Sequence, residues 1–131
     1  MHLWLAIAAL AAAQDAAVPA ERWEEFHRDA EGSFQVDTSR LSREGDEVEA
    51  WVRQVYVRPA GLGMKTFVLH NRVDCRRRRA VTYSMEGFLE DGTSMGLLDY
   101  PEGERPNERL SRDGGDGAML RRLCDGTPAP S

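Results

Sequence analysis

Lysine is nearly missing from this chain: Lys65 stands alone against sixteen arginines in 131 residues. The imbalance reads as genome base composition and not as a site. Cysteine is almost as scarce. Cys75 and Cys124 are the only thiols, no CxxC pair occurs, and His27 and His70 are isolated, which excludes zinc-ribbon and dithiol redox chemistry. Basic charge does not dominate either: the formal net charge is -5, against the basic face that non-specific nucleic-acid binding requires. No GxSxG, HExxH, EF-hand or P-loop pattern is present. Past the first dozen or so residues, no apolar run approaches the roughly 20 residues of a membrane-spanning helix.

What is present suits one exported domain. Residues 1–13 run Met-His-Leu-Trp-Leu-Ala-Ile-Ala-Ala-Leu-Ala-Ala-Ala, apolar, too short to span a bilayer, and ending in the small residues that a signal peptidase requires. They read as a signal peptide cleaved after Ala13, with Ala16 and Ala17 as neighbouring alternatives. Residues 14–21 read as a flexible leader, 22–124 as the folded unit and 125–131 as a Pro-rich disordered tail. The removed segment carries no ionised side chain, so the -5 belongs to the mature protein. In an oxidising compartment two cysteines favour a disulfide, here Cys75 with Cys124, closing a loop of about 50 residues. The chain-entropy model values such a loop at about 4 kcal/mol.

The pattern is that of strands. Residues 22–28 and 33–37 flank a turn-like Asp29-Ala30-Glu31-Gly32 and read as a hairpin. Residues 47–58 form the clearest strand, with Val48, Ala50 and Val52 alternating against Glu49, Trp51 and Arg53. Residues 64–74 put Phe67, Leu69 and Val73 on one face, with Asn71 and Cys75 of the same parity. Residues 80–88 form a further strand, and 94–100 a short last one after the turn signal Glu90-Asp91-Gly92-Thr93. Beyond Pro106 the chain reads as loop through 113–117, then a short helix capped by Asp116, with Leu120, Leu123 and Cys124 on one face. The fold expected is α+β: an antiparallel sheet of about five or six strands, a C-terminal helix packed on one face, and one disulfide.

Candidate chemistry is sparse. Arg76, Arg77, Arg78 and Arg79 form the obvious local feature, readable as an anion-binding patch or as a solvated strand edge paired with Asp74, Glu86 and Glu90. His27 and His70 have no Asp or Ser partner at motif spacing and read as ordinary strand histidines. Glu24 and Glu25 point to opposite faces of a strand and cannot share a substrate. Gly61-Leu62-Gly63 lacks the strand–loop–helix context of a phosphate cradle. Trp23, Trp51, Tyr56 and Tyr83 read as core or sheet-face residues rather than a ligand platform. Neither a cofactor nor a metal is expected, and no catalytic residue is assigned.

The order of landmarks carries one resemblance. Trp23 opens the domain, and Phe34-Gln35-Val36-Asp37 precedes Leu41 and Gly45. Val48-Glu49-Ala50-Trp51-Val52 leads to Tyr56, Val73-Asp74-Cys75 is followed by Arg79 and Tyr83, and Leu120 to Cys124 closes the unit. This resembles the bacterial surface-adhesin protein E-like family, with its Trp, Y-x-D strand, V-W-V strand, D-C before a basic stretch and final Cys. The resemblance implies an antiparallel sheet with a flanking helix, a Cys75–Cys124 bridge and a secreted or envelope location. It also implies adhesion to host or envelope components, extracellular protein or polysaccharide as partners, and pairing into homodimers. The sequence departs from the pattern in lacking a lipoprotein cysteine, in Phe34 where Tyr is usual, and in Tyr100-Pro101 where the family has Trp before Pro. No ligand-binding residue carries across. The function expected is that of an exported, non-catalytic binding domain; the alternative is a periplasmic structural or assembly factor of the cell envelope.

Overall fold

The computed structural model describes residues 21–126, so the segment read as a signal peptide, nearly all of the segment read as a leader, and residues 127–131 lie outside the described residues. In chain order the elements are Trp23–Arg28 (β1), Gly32–Asp37 (β2), a 3₁₀ turn at Thr38–Arg40, Ser42–Glu44 (β3) and Glu47–Tyr56 (β4). Met64–Asp74 (β5), Arg79–Leu89 (β6), Ser94–Asp99 (β7) and Asn107–Arg109 (β8) follow. The helix Gly114–Leu120 (α1) then runs on as a wider π turn over Arg121–Asp125.

All eight strands join one antiparallel sheet in the order β1-β2-β4-β5-β6-β7. The three long strands β4, β5 and β6 form its centre, and each outer edge of that centre is covered by two shorter strands. On β4, β2 pairs along residues 52–56 and β3 along 47–49. On β6, β7 pairs along 84–88 and β8 along 79–81. The count exceeds the five or six read from the sequence because β3 and β8 are three-residue, wholly polar segments. Ser-Arg-Glu and Asn-Glu-Arg carry no apolar alternation; pairing to a long neighbour makes them strands.

The period-two alternation of β4 sorts its side chains as expected. Val48, Ala50 and Val52 are buried, and with Val36, Val73, Ala80 and Leu110 they form the sheet's side of the core. Met119 and Leu123 of the helical segment complete it, and Leu123 is fully buried. Seven α-helical residues are too few to be stable alone, so the segment depends on what it packs against.

The helix begins earlier than expected. Gly114, Gly115, Asp116 and Gly117 form its first turn and are not a loop, and Asp116 caps nothing at the start: its carboxylate accepts from the Ser111 N–H. Glycine is required at 117, where a Cβ would fall 2.0 Å from the Arg112 carbonyl oxygen. At 115 a Cβ would meet the Phe34 ring at 3.4 Å, so small residues let the helix settle close on β2.

Cys75, just past the end of β5, is bonded to Cys124 at a Cα–Cα distance of 5.7 Å. The bond fixes the far end of the helical segment to the sheet, while Arg43 Nη1 donates to the Cys124 carbonyl at 2.7 Å. Glu24 of β1 pairs with Arg122, on the helix side, and Glu25 accepts from Ser33 of β2, so the two carboxylates do diverge. Replacing Cys75 and Cys124 together by Ser is expected to cost about 2–5 kcal/mol of unfolding free energy, read from urea denaturation at neutral pH. An unchanged midpoint would contradict the pinned-helix account.

Candidate functional site

Because the helix covers one face, the residues of opposite parity are left on a face without a helix. Pairing register lines them up across the strands: Gln35 on β2, Arg53 on β4, Val68 on β5, Glu86 on β6 and Leu97 on β7 form one row. The adjacent row is Trp51, His70, Ser84 and Asp99. Over these rows lies a groove of about 600 Å³, walled by Trp23, Arg40 and Trp51 at one end and by Phe88, Leu89 and Leu97 at the other.

The aromatic and cationic side chains on this face stack across strands. His70 lies flat on Trp51, centroids 3.9 Å apart and planes 6° from parallel. Arg40 reaches Trp51 from the β2 side, its guanidinium carbon 4.6 Å from the ring centroid. Tyr83 continues beyond His70 at 5.2 Å, and Arg105 caps Tyr83 at 4.4 Å. The result is a five-member stack, Arg40–Trp51–His70–Tyr83–Arg105, spanning β4 to β6. Each such cation–π contact contributes about 0.5–1 kcal/mol where solvent reaches it. A bulge between His70 and Asn71 in the β5–β6 pairing sets which β6 side chains meet this face.

Asp37 anchors the near end. Its side chain is inaccessible to solvent, and Oδ1 accepts from the Arg22 N–H, the Ser39 N–H and the Ser39 hydroxyl at 2.9, 2.9 and 2.6 Å. Oδ2 accepts from Arg40 Nε at 2.8 Å. Burial alone would push this carboxyl up, but the hydrogen bonds from Ser39, Arg22 and Arg40 outweigh it and hold the pKa at about 2. Asp37 thereby fixes the 3₁₀ turn that carries Arg40 over Trp51.

Arg53 is held differently. Its guanidinium stacks on Trp23 at 4.4 Å, and Nε donates to Gln35 Oε1 at 2.7 Å. The Gln35 amide in turn donates to Ser33 Oγ, which donates to Glu25, so the amide oxygen is turned toward Arg53. Arg53 makes no ion pair among the described residues, and burial draws its pKa below the ordinary arginine value, against the pull of Glu21 and Asp37. At the other end of the face Arg72 is neutralised by Glu47 and Glu49, at 3.0 and 3.6 Å, and Glu49 also bonds His70 Nε2 at 2.8 Å.

The basic run read from the sequence is divided by its own turn. Arg77 bonds Asp74, and Arg79 donates to the Asn107 side chain and carbonyl on the face without a helix. Arg78 takes the left-handed conformation, φ 55°, and stands with Arg109 and Arg112, whose charges, after burial, lower its pKa. Arg76 is exposed. His27 bonds Asp29 at 3.2 Å and packs near Phe34, away from His70. Among the described residues no three His, Cys, Asp or Glu side chains group closely enough to hold a metal.

Sequence reasoning placed Trp23, Trp51 and Tyr83 correctly on a sheet but missed their convergence with Arg40, Arg53 and His70. The signal available was parity: Trp51 and Arg53 alternate with the buried valines of β4. The profile of the family described as Surface-adhesin protein E matches residues 23–125. No curated protein and no solved structure matches the chain.

The depressed pKa of Asp37 makes stability pH-dependent. Its contribution, about 2 kcal/mol, is fully present above the ordinary carboxylate pKa and is lost as the pH falls from about 4 through about 2. Asp37→Asn should remove a similar amount at pH 7 and flatten the stability profile across that window, as measured by denaturation at stepped pH. An unaltered profile in the variant would contradict the role given to Asp37.

Proposed function

We propose a binding function for this chain, which belongs to the surface-adhesin protein E family over residues 23–125, with extracellular protein as its ligand class. The reading is that of an exported, non-catalytic domain that engages its ligand through the sheet face without a helix. One observation carries it: the groove of about 600 Å³ on that face, walled by Trp23, Trp51, Arg40 and Arg53. The volume lies in the range of ligand-binding clefts, and tryptophan and arginine are the side chains most enriched at energetically dominant contact points. Family membership supports export to the envelope or beyond, in keeping with the apolar segment 1–13. The non-catalytic reading is supported by His70 being engaged by Trp51 and Glu49, with no hydrogen bond to its cross-strand neighbour Ser84 among the described residues.

A second reading concerns anionic polysaccharide. Arg78, at the hairpin end, stands with Arg109 and Arg112, so residues distant in sequence gather into one basic cluster. Lipopolysaccharide or a sulfated glycan is the ligand that such a cluster favours.

The mature protein passed over immobilised extracellular-matrix proteins and over lipopolysaccharide and cell-wall fractions should be retained by a matrix protein. Retention by lipopolysaccharide alone, abolished by Arg78→Ala with Arg109→Ala, would favour the second reading. Absence of retention on every surface would overturn the adhesive function and leave the periplasmic assembly role, which protection from external protease in whole cells would support.

A further inference from the structure

The geometry points to a more specific ligand for the groove: an extended peptide segment that carries an acidic side chain and, a few residues on, a basic and an apolar one. This rests on the adhesive reading and names the chemistry that the same face recognises.

The row Arg53–Val68–Glu86–Leu97 crosses the floor of the groove from β4 to β7. At about 4.8 Å per strand it spans about 14 Å, the length of roughly four extended residues. Its ends differ in character. Arg53 lines the groove, stacked on Trp23 and with its Nε spent on the neutral Gln35 oxygen; Glu21 and Asp37 pull on its charge, but no carboxylate forms an ion pair with it among the described residues. A half-buried guanidinium whose orientation is fixed by a ring and an amide is prepared for the two-point hydrogen bonding that a carboxylate offers. Two strands away Glu86 accepts from the Ser94 hydroxyl at 2.7 Å and has no cation partner among the described residues. Leu97 lies beyond it, an apolar side chain 60% exposed, beside Phe88 and Leu89.

Positive, apolar, negative and apolar positions thus follow one another along one line. Charge complementarity selects a ligand with the opposite order: acid over Arg53, base over Glu86 and an apolar group over Leu97. A polyanionic glycan is disfavoured on this face because Glu21, Glu86 and Glu90 all line the groove. Stacking of a neutral sugar on Trp51 is also disfavoured, since Arg40 and His70 approach that ring from its two sides. A peptide meets all three conditions at once, and the extended form lets alternate side chains reach the floor.

The test uses the full mature protein and an array of immobilised nonapeptides, each with one Glu, one Lys and one Leu among Ser and Ala, permuted in order and spacing. A polyuronate and heparin are spotted beside them. Binding is expected to concentrate on peptides in which Glu, Lys and Leu follow at spacings of about two residues, and to fall about tenfold when Glu is replaced by Gln. Arg53→Gln should remove that dependence on the peptide's Glu, and Glu86→Gln the dependence on its Lys. Glu86 sits on an open strand face, so the second variant tests the inference even if the first unfolds. Peptides that bind equally with Glu or Gln, or retention on the glycans alone, would overturn it. Continued retention on a matrix protein by both variants would also overturn the inference while leaving the adhesive reading intact; loss of all retention by the unaltered protein would overturn both.

Discussion

The constraint on which the rest depends is the attachment of a short helical segment to one face of a twisted sheet. Seven α-helical residues and a π turn cannot hold themselves together, and the segment contributes just Ala118, Met119 and Leu123 as buried hydrophobic residues, with Leu120 and Cys124 packed against the core. The Cys75–Cys124 bond ties its end to β5, and glycines at 115 and 117 let its start approach Phe34 and the Arg112 backbone closely. The helix is therefore held on the valine face of β4. Everything on the opposite face follows from that choice, because a strand that buries Val48, Ala50 and Val52 must present Glu49, Trp51 and Arg53 on its other side.

A sheet face without a helix still has to satisfy its polar and aromatic groups. Here it does so sideways, strand to strand. Arg40, Trp51, His70, Tyr83 and Arg105 cover one another's ring faces, Glu49 and Glu47 take up Arg72, and Asp37 collects four donors at the turn beside them. The satisfaction stops at Arg53. That side chain is ordered by Trp23 and Gln35 and lines the groove without an ion pair among the described residues, and the pull of Glu21 and Asp37 offsets only part of the cost of burying it. An ordered cation that lines an open groove without an ion-pair partner is more useful for recognition than for stability.

How much of this the sequence made legible depended on whether the signal was local. The β4 alternation, the turn at 90–93 and the apolar spacing of Leu120, Leu123 and Cys124 act within a few residues; β4 and the turn stand where they were expected, while the helical segment is present but starts earlier, at Gly114, and passes into a π turn from Arg121. β3 and β8 were illegible because three polar residues become a strand only through a partner. The glycine run at 114–117 read as loop because the close approaches that require glycine there come from residue 112 and from β2. The stack of Trp51, His70 and Tyr83 needed the β4–β5–β6 register and a bulge at residue 70, neither of which parity alone supplies. For the four-arginine run, the partners were what the sequence could not show: its residues adjoin in the chain, yet the turn sends Arg79 to Asn107 and Arg78 to Arg109 and Arg112.

The central claim is that ligand meets the sheet face opposite the helix. Hydroxyl-radical footprinting of the mature protein, free and bound to whichever matrix protein retains it, tests this directly, because the two faces carry different reactive side chains. The account predicts that Trp23, Trp51 and Leu97 become protected while Phe26, Phe34 and Met119 keep their reactivity. Protection confined to the helix face, with Trp23 and Trp51 as reactive as before, would contradict it.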